Sequence, residues 1–252
     1  MRLTFTTESG FSLIATLVML VSLAIVVAVA LESITPALME TRQVETQTAL
    51  AEIGHAIAGD YALGGSMAGA DFGYVGDVGA MPTSLSSLLS NPGGYSTWSG
   101  PYLRDEFNEA TNKSITDSWG NAFSYTGGVT VTSTGSGSAI NYSIAKSTAD
   151  LLNCGFSGTI EGANGVAPGT SSGNLIAIVT YPDGLGSAKA DTVAIDAAGL
   201  FNFIAGIPIG IRTLVVKDIV AVDSVTTYVR LLPRSRTTNT SVGVLRLPNA
   251  TY

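Results

Sequence analysis

The sequence predicts an α+β chain: a long N-terminal membrane or stalk α-helix, a small α+β head, and a C-terminal all-β sandwich. Three observations predict it. No residue from Ser9 to Leu31 is charged, and apolar positions at helical spacing follow. Gly, Pro and aromatic residues then punctuate the middle of the chain. From Gly155 onward, short apolar runs are stopped by turns such as Pro182-Asp183-Gly184 and Asp196-Ala197-Ala198-Gly199. The expected limits are 11–62 for the helix, 63–153 for the head and 154–252 for the sandwich.

The core of the first element, Leu13 to Leu31, is apolar on every side. At about 1.5 Å per residue it nearly spans a hydrocarbon layer of about 30 Å. A cleaved secretory signal fits less well, because the run outlasts a usual signal core and no small-x-small site precedes a polar start. The pattern stays helical from Glu32 to Tyr61, with Leu50, Ile53 and Ile57 on one face and Tyr61 one turn on. Pro36 lies inside this stretch and predicts a kink or local melting.

Ser9-Gly10-Phe11-Ser12-Leu13-Ile14 resembles the processing site of the type IV pilin and type II secretion pseudopilin family. The resemblance implies a leader over 1–10, cleavage by prepilin peptidase between Gly10 and Phe11, and N-methylation of Phe11. Most of that family has Glu at the fifth mature position, where this chain has Ala15. That Glu pairs with the amine of a neighbouring subunit, so the resemblance implies that this contact is not made. Members lacking it tend to be minor subunits, one of them at a fibre tip.

In the middle of the chain, Thr83 or Ser84 is expected to cap a short helix with Leu85, Leu88 and Leu89 as its buried stripe. Trp98-Ser99-Gly100-Pro101-Tyr102-Leu103 and Asp117-Ser118-Trp119-Gly120-Asn121 follow, then Phe123 and Tyr125. The aromatic residues supply core area, and Asp117 is expected to form an Asx-type turn. Order and spacing resemble the head of the major pseudopilin over roughly Leu50 to Asp150. That family carries a calcium loop where this chain has Ser143 to Asp150, with one Asp and a Lys. Calcium takes six to eight oxygens. Calcium is therefore not supported by the residues, no metal ligand is assigned, and no cofactor is expected.

Strands are expected at Asn174–Tyr181, Thr192–Ile195, Leu200–Ile204, Ile211–Val216, Thr226–Leu232 and Val242–Leu247. The run from Asp196 through Gly199, Phe201, Phe203, Pro208, Gly210, Arg212 and Leu214 to Val216 resembles carboxypeptidase-regulatory-like, transthyretin-like domains. That resemblance implies a first strand at Gly158–Ile160. Such domains are stalks, spacers and binding modules. The sandwich is expected to fold alone, with a boundary at Cys154-Gly155. Asp183, Asp191, Asp196, Asp218 and Asp223 read as turn and solvated-face residues.

Composition narrows the function. The chain has 252 residues, a net charge of -7 and only 12% charged residues. The densest cationic group is Arg230, Arg234 and Arg236, so nucleic acid is not an expected partner. The single cysteine, Cys154, permits no internal disulfide and reads as a small buried residue. The single histidine, His55, rules out multi-histidine metal sites, and no enzyme is expected. The family resemblances imply a structural subunit of a pilus or pseudopilus-like fibre, or a tip-located, adhesin-like binding subunit. Implied partners are other pilin or pseudopilin subunits, prepilin peptidase, an inner-membrane assembly platform and membrane lipid. The implied location is the inner membrane, single-pass, and then a periplasmic or extracellular fibre.

Overall fold

The computed structural model describes residues 12–60, 72–103, 115–236 and 240–252. The chain divides into two compact units, Met1–Glu45 and Thr46–Tyr252. Helix α1, Leu13–Ala58, contributes to both and runs uninterrupted through Pro36, so the local melting expected there does not occur. A proline removes one backbone hydrogen bond, and the turns on either side carry the helix across. Within the second unit Thr46, Leu50, Ile53 and Ile57 recur every three or four residues and are fully buried. The helix stops at Ala58, where the Gly59 N–H donates to the His55 carbonyl at 2.6 Å. Tyr61 lies outside the described residues.

Helix α2, Gly73–Val78, ends at Gly79, whose φ of 80° is left-handed. A Cβ there would collide with the Pro182 carbonyl, so glycine is required both by conformation and by close approach. The expected short helix is a single 3₁₀ turn, Leu85–Leu88, and Ser84 makes no side-chain cap to it. Leu85 and Leu88 are buried as expected, and Leu89 is half-buried. Strands β1, Thr130–Ser133, and β2, Ile140–Ser143, form an antiparallel hairpin. Helix α3, Thr148–Leu152, is capped by the Ser147 hydroxyl, which accepts from the Asp150 N–H.

The remaining strands are β3 Cys154–Glu161, β4 Leu175–Pro182, β5 Ala188–Ala194, β6 Leu200–Ile207, β7 Gly210–Asp218, β8 Asp223–Leu231 and β9 Thr240–Arg246. They form a three-stranded sheet, β6-β3-β9, and a four-stranded sheet, β5-β4-β7-β8. All pairs are antiparallel except β3 with β9, which is parallel. Alternate residues face inward: Phe156 and Ile160 on β3, Ala177 and Val179 on β4, Leu214 and Val216 on β7. These belong to one hydrophobic core. Phe156 stacks on Phe203 at 4.8 Å between centroids, and Phe201 meets both edge-on. Such offset and edge contacts add to the area that each ring buries.

Several hydrogen bonds cross the boundary expected at Cys154-Gly155. Gly184 N–H donates to the Val78 carbonyl at 2.9 Å, and Ser96 N–H to the Gly186 carbonyl at 2.8 Å. Ile209 N–H donates to the Leu151 carbonyl at 2.8 Å. The buried Arg212 guanidinium donates to the carbonyls of Gly76 and Pro208, at 2.9 and 3.1 Å, and to that of Ile209. Burial pulls the Arg212 pKa down to about 10, so it stays charged at neutral pH.

Expressed alone, residues 155–252 should therefore melt below Thr46–Tyr252 by differential scanning calorimetry. The excised piece leaves Arg212 without its Gly76 acceptor, and a buried polar group stripped of a partner costs about 1–3 kcal/mol. Equal melting temperatures would show that the junction adds nothing to stability.

Candidate functional site: the apolar N-terminal helix

The feature with the strongest chemical demand is the first part of α1. Each described side chain from Ser12 to Glu45 is exposed. Leu13, Ile14, Val18, Met19 and Leu20 are each more than half exposed, and they point in different directions around the helix. Burying a side chain of this size is worth about 1.5–3 kcal/mol, so water is a poor solvent for the whole segment. The helix is long and apolar enough to cross a membrane.

Four of its described hydroxyls bond back to the helix. The Thr16 hydroxyl donates to the Ser12 carbonyl at 3.1 Å and the Ser22 hydroxyl to the Met19 carbonyl at 2.9 Å. Further along, Thr35 and Thr41 donate to the carbonyls of Leu31 and Ala37 at 2.8 and 2.9 Å. Hydroxyls bonded back to their own helix lower the cost of entering hydrocarbon or a dry helix bundle. Ala15 lies on α1 and is exposed, so this turn carries no carboxylate. Gly10 and Phe11, the expected processing residues, lie outside the described residues.

The head motifs are brought together as anchors. Asp117 is buried and extends the expected Asx-type turn into a wider network. One carboxylate oxygen accepts from the N–H groups of Trp119 and Asn121 at 3.0 and 2.8 Å. The other accepts from the Ser133 hydroxyl at 2.6 Å and the Gly135 N–H at 3.1 Å, which ties the turn to the β1–β2 hairpin. The Thr46 hydroxyl accepts from the Ser118 N–H at 3.2 Å and ties it to α1. Trp98, Tyr102, Trp119 and Tyr125 are half-buried, and Phe123 is fully buried. The Tyr102 hydroxyl donates to Asp77 on α2 at 2.8 Å, while burial pushes its pKa up.

The other sequence candidates also resolve into structure. Among the described residues no group of three or more His, Cys, Asp or Glu converges as a metal site. Asp150 accepts from the N–H and hydroxyl of Ser235. Asp183 and Asp196 fasten turns by accepting from Leu185 and Leu200 N–H, each at 2.7 Å. Asp191 accepts from the Tyr181 hydroxyl. Asp218 and Asp223 are buried, not solvated, because each serves several backbone donors. Burial, with Asp150 nearby, pushes the Cys154 thiol up to about 11, which leaves it protonated and unreactive. His55 approaches Asp60 at 4.0 Å in a cavity of about 150 Å³ that Tyr142 and Arg236 also line.

One motif escaped the sequence reading. Gly169-Thr170-Ser171-Ser172-Gly173 has the Gly-x-Ser-x-Gly spelling of a hydrolase nucleophile turn. Such a serine sits on a sharp strand-to-helix turn. Here the segment is a 3₁₀ turn, Gly169–Asn174, leading into strand β4, so the required setting is missing.

The Asp117 network generates a pH prediction. Burial alone raises this carboxyl pKa, but the hydrogen bonds from Ser133, Asn121 and Trp119 outweigh it and hold it below the usual range. The unfolded chain then takes up the proton first. The stabilisation is present above about pH 4 and is lost as pH falls through the lowered pKa. Asp117→Asn should cost on the order of 2 kcal/mol at pH 7. Its melting temperature should fall less steeply on acidification than that of the parent chain. The chain matches no protein-family profile, no curated protein and no solved structure.

Proposed function

We propose that the chain is a structural subunit of a pilus or pseudopilus-like fibre, of the type IV pilus or type II secretion kind. The observation that carries this reading is the Gly10-Phe11-Ser12-Leu13-Ile14 junction at the head of an uncharged stretch that runs to Leu31. The exposed apolar surface of α1, with its inward-bonded hydroxyls, supports it. In this reading prepilin peptidase cuts between Gly10 and Phe11, and Phe11 is N-methylated. The precursor is held in the inner membrane by α1. After processing, an assembly platform transfers that helix from lipid into a bundle of like helices in a periplasmic or extracellular fibre. The chain acts by packing and needs no catalytic residue, cofactor or nucleic acid.

Intact-mass measurement on protein from its native membrane tests the processing step. The expected species begins at Phe11 and carries one added methyl group. A mature chain that starts at Met1, or beyond Leu31, would be incompatible with assembly through this helix.

A second reading is favoured by Ala15. Without a carboxylate at this turn, an incoming subunit gains no attraction to the amine of one already in place, an attraction that is strong in a low-dielectric core. Such a subunit suits the first position, at the tip, with its β region available as an adhesin-like binding module. Gold-labelled antibody against that region should mark fibre ends. Labels spaced evenly along the shaft would remove the tip reading and leave the shaft subunit standing.

A further inference from the structure

The turn between β7 and β8, Asp218-Ile219-Val220-Ala221-Val222-Asp223, breaks the usual rules for a soluble turn. Its exposed side chains are aliphatic: Ile219 is 58% exposed, Val220 68% and Val222 89%. Val222 has a φ of 53°, a left-handed conformation normally given to Gly, Asn or Asp. A β-branched residue is strained there, and a turn facing water gains nothing from it.

Three N–H groups of the same turn are already satisfied. Ile219 N–H donates to the Asn174 carbonyl at 2.9 Å. Val220 and Ala221 N–H both donate to one Asp218 carboxylate oxygen at 2.9 Å. At the other side of the turn the Asp223 carboxylate is occupied by Ser224, Asn249 and Ala250 N–H. Removing water from this tip therefore strips none of these donors of its partner.

We infer that the β7–β8 turn is a lipid-contacting tip, which inserts Ile219, Val220 and Val222 into the apolar layer of a zwitterionic bilayer surface. Isoleucine and valine favour hydrocarbon, whereas protein-interface anchors are enriched in Trp, Tyr and Arg and poor in Val. Pre-satisfied donors are what a backbone needs at membrane depth. The segment carries two aspartates and no lysine or arginine, so anionic lipid adds no attraction. This contact is separate from α1 and does not depend on the fibre reading.

The test uses the full chain reconstituted in phosphatidylcholine vesicles. Val220→Cys carries an environment-sensitive fluorophore, and Ser136→Cys in the exposed β1–β2 turn is the control. The native Cys154 is buried and does not compete for label. Quencher lipid is placed in the host vesicles in one arm and in added vesicles in the other. The probe at Val220 should shift to the blue and be quenched severalfold more than the control in at least one arm. Val222→Asn, which relieves the strain and keeps the turn, should reduce that quenching severalfold while the chain stays folded. Equal quenching at the two positions in both arms would overturn the inference. So would a blue shift that needs an added protein and not lipid.

Discussion

A guanidinium bonded to three main-chain carbonyls sits at the junction of α2 with β7, and the contact between these two elements depends on it. Arg212 lies in phase with Leu214 and Val216, so its side chain points into the core. A charge in that position is tolerable only with acceptors placed around it. The coordination comes from the turn before β7, through Pro208 and Ile209, and from α2, through Gly76. Gly79 then lets α2 approach the Pro182 carbonyl closely enough for Gly184 to bond Val78. Moving any one of these groups would leave a buried ion or carbonyl unserved. The junction is thereby fixed in geometry as well as in energy.

Helix α1 has two kinds of surface along its length. Its later turns follow the rule of a soluble amphipathic helix, with a buried stripe from Thr46 to Ile57. Its earlier turns have no polar face at all. The change falls where charge returns, at Glu32, Glu40, Arg42 and Glu45. An apolar cylinder needs either hydrocarbon or other helices around it, and the two environments make similar demands on side chains. That similarity is what would let one sequence serve first in a bilayer and then in a bundle.

The β strands were legible because alternation with period two is a direct image of burial, as at Leu175, Ala177 and Val179. Turn chemistry marked their ends: Gly199, with φ of 83°, closes the Asp196 turn under the Ile160 carbonyl, where a Cβ has no room. Strand partners were not legible, because a sequence carries no record of which edge meets which. The parallel β3–β9 pair is the clearest case. Helix α2, GYVGDV, contains two glycines and reads as a loop by propensity; packing overrides that weak preference. Arg212 was in the inward phase, yet its residue type argued for the surface. Asp218 and Asp223 were misjudged for the same reason. The Asp117 turn was legible, but its reach to Ser133 and Gly135 was not, since those partners lie in a hairpin of two four-residue strands. Gly10 and Phe11 rest on the sequence motif alone.

The parallel pairing of β3 with β9 fixes an order of events. Strand β3 finds one neighbour in β6, but its other edge stays open until Thr240–Arg246 has left the ribosome. By then the apolar segment of α1, at the other end of the chain, has long been made. The three-stranded sheet therefore closes only after synthesis has passed its last strand. Until then β3 presents unpaired backbone groups that can join a foreign strand. A nascent chain of this kind gains from anything that covers that open edge until β9 arrives.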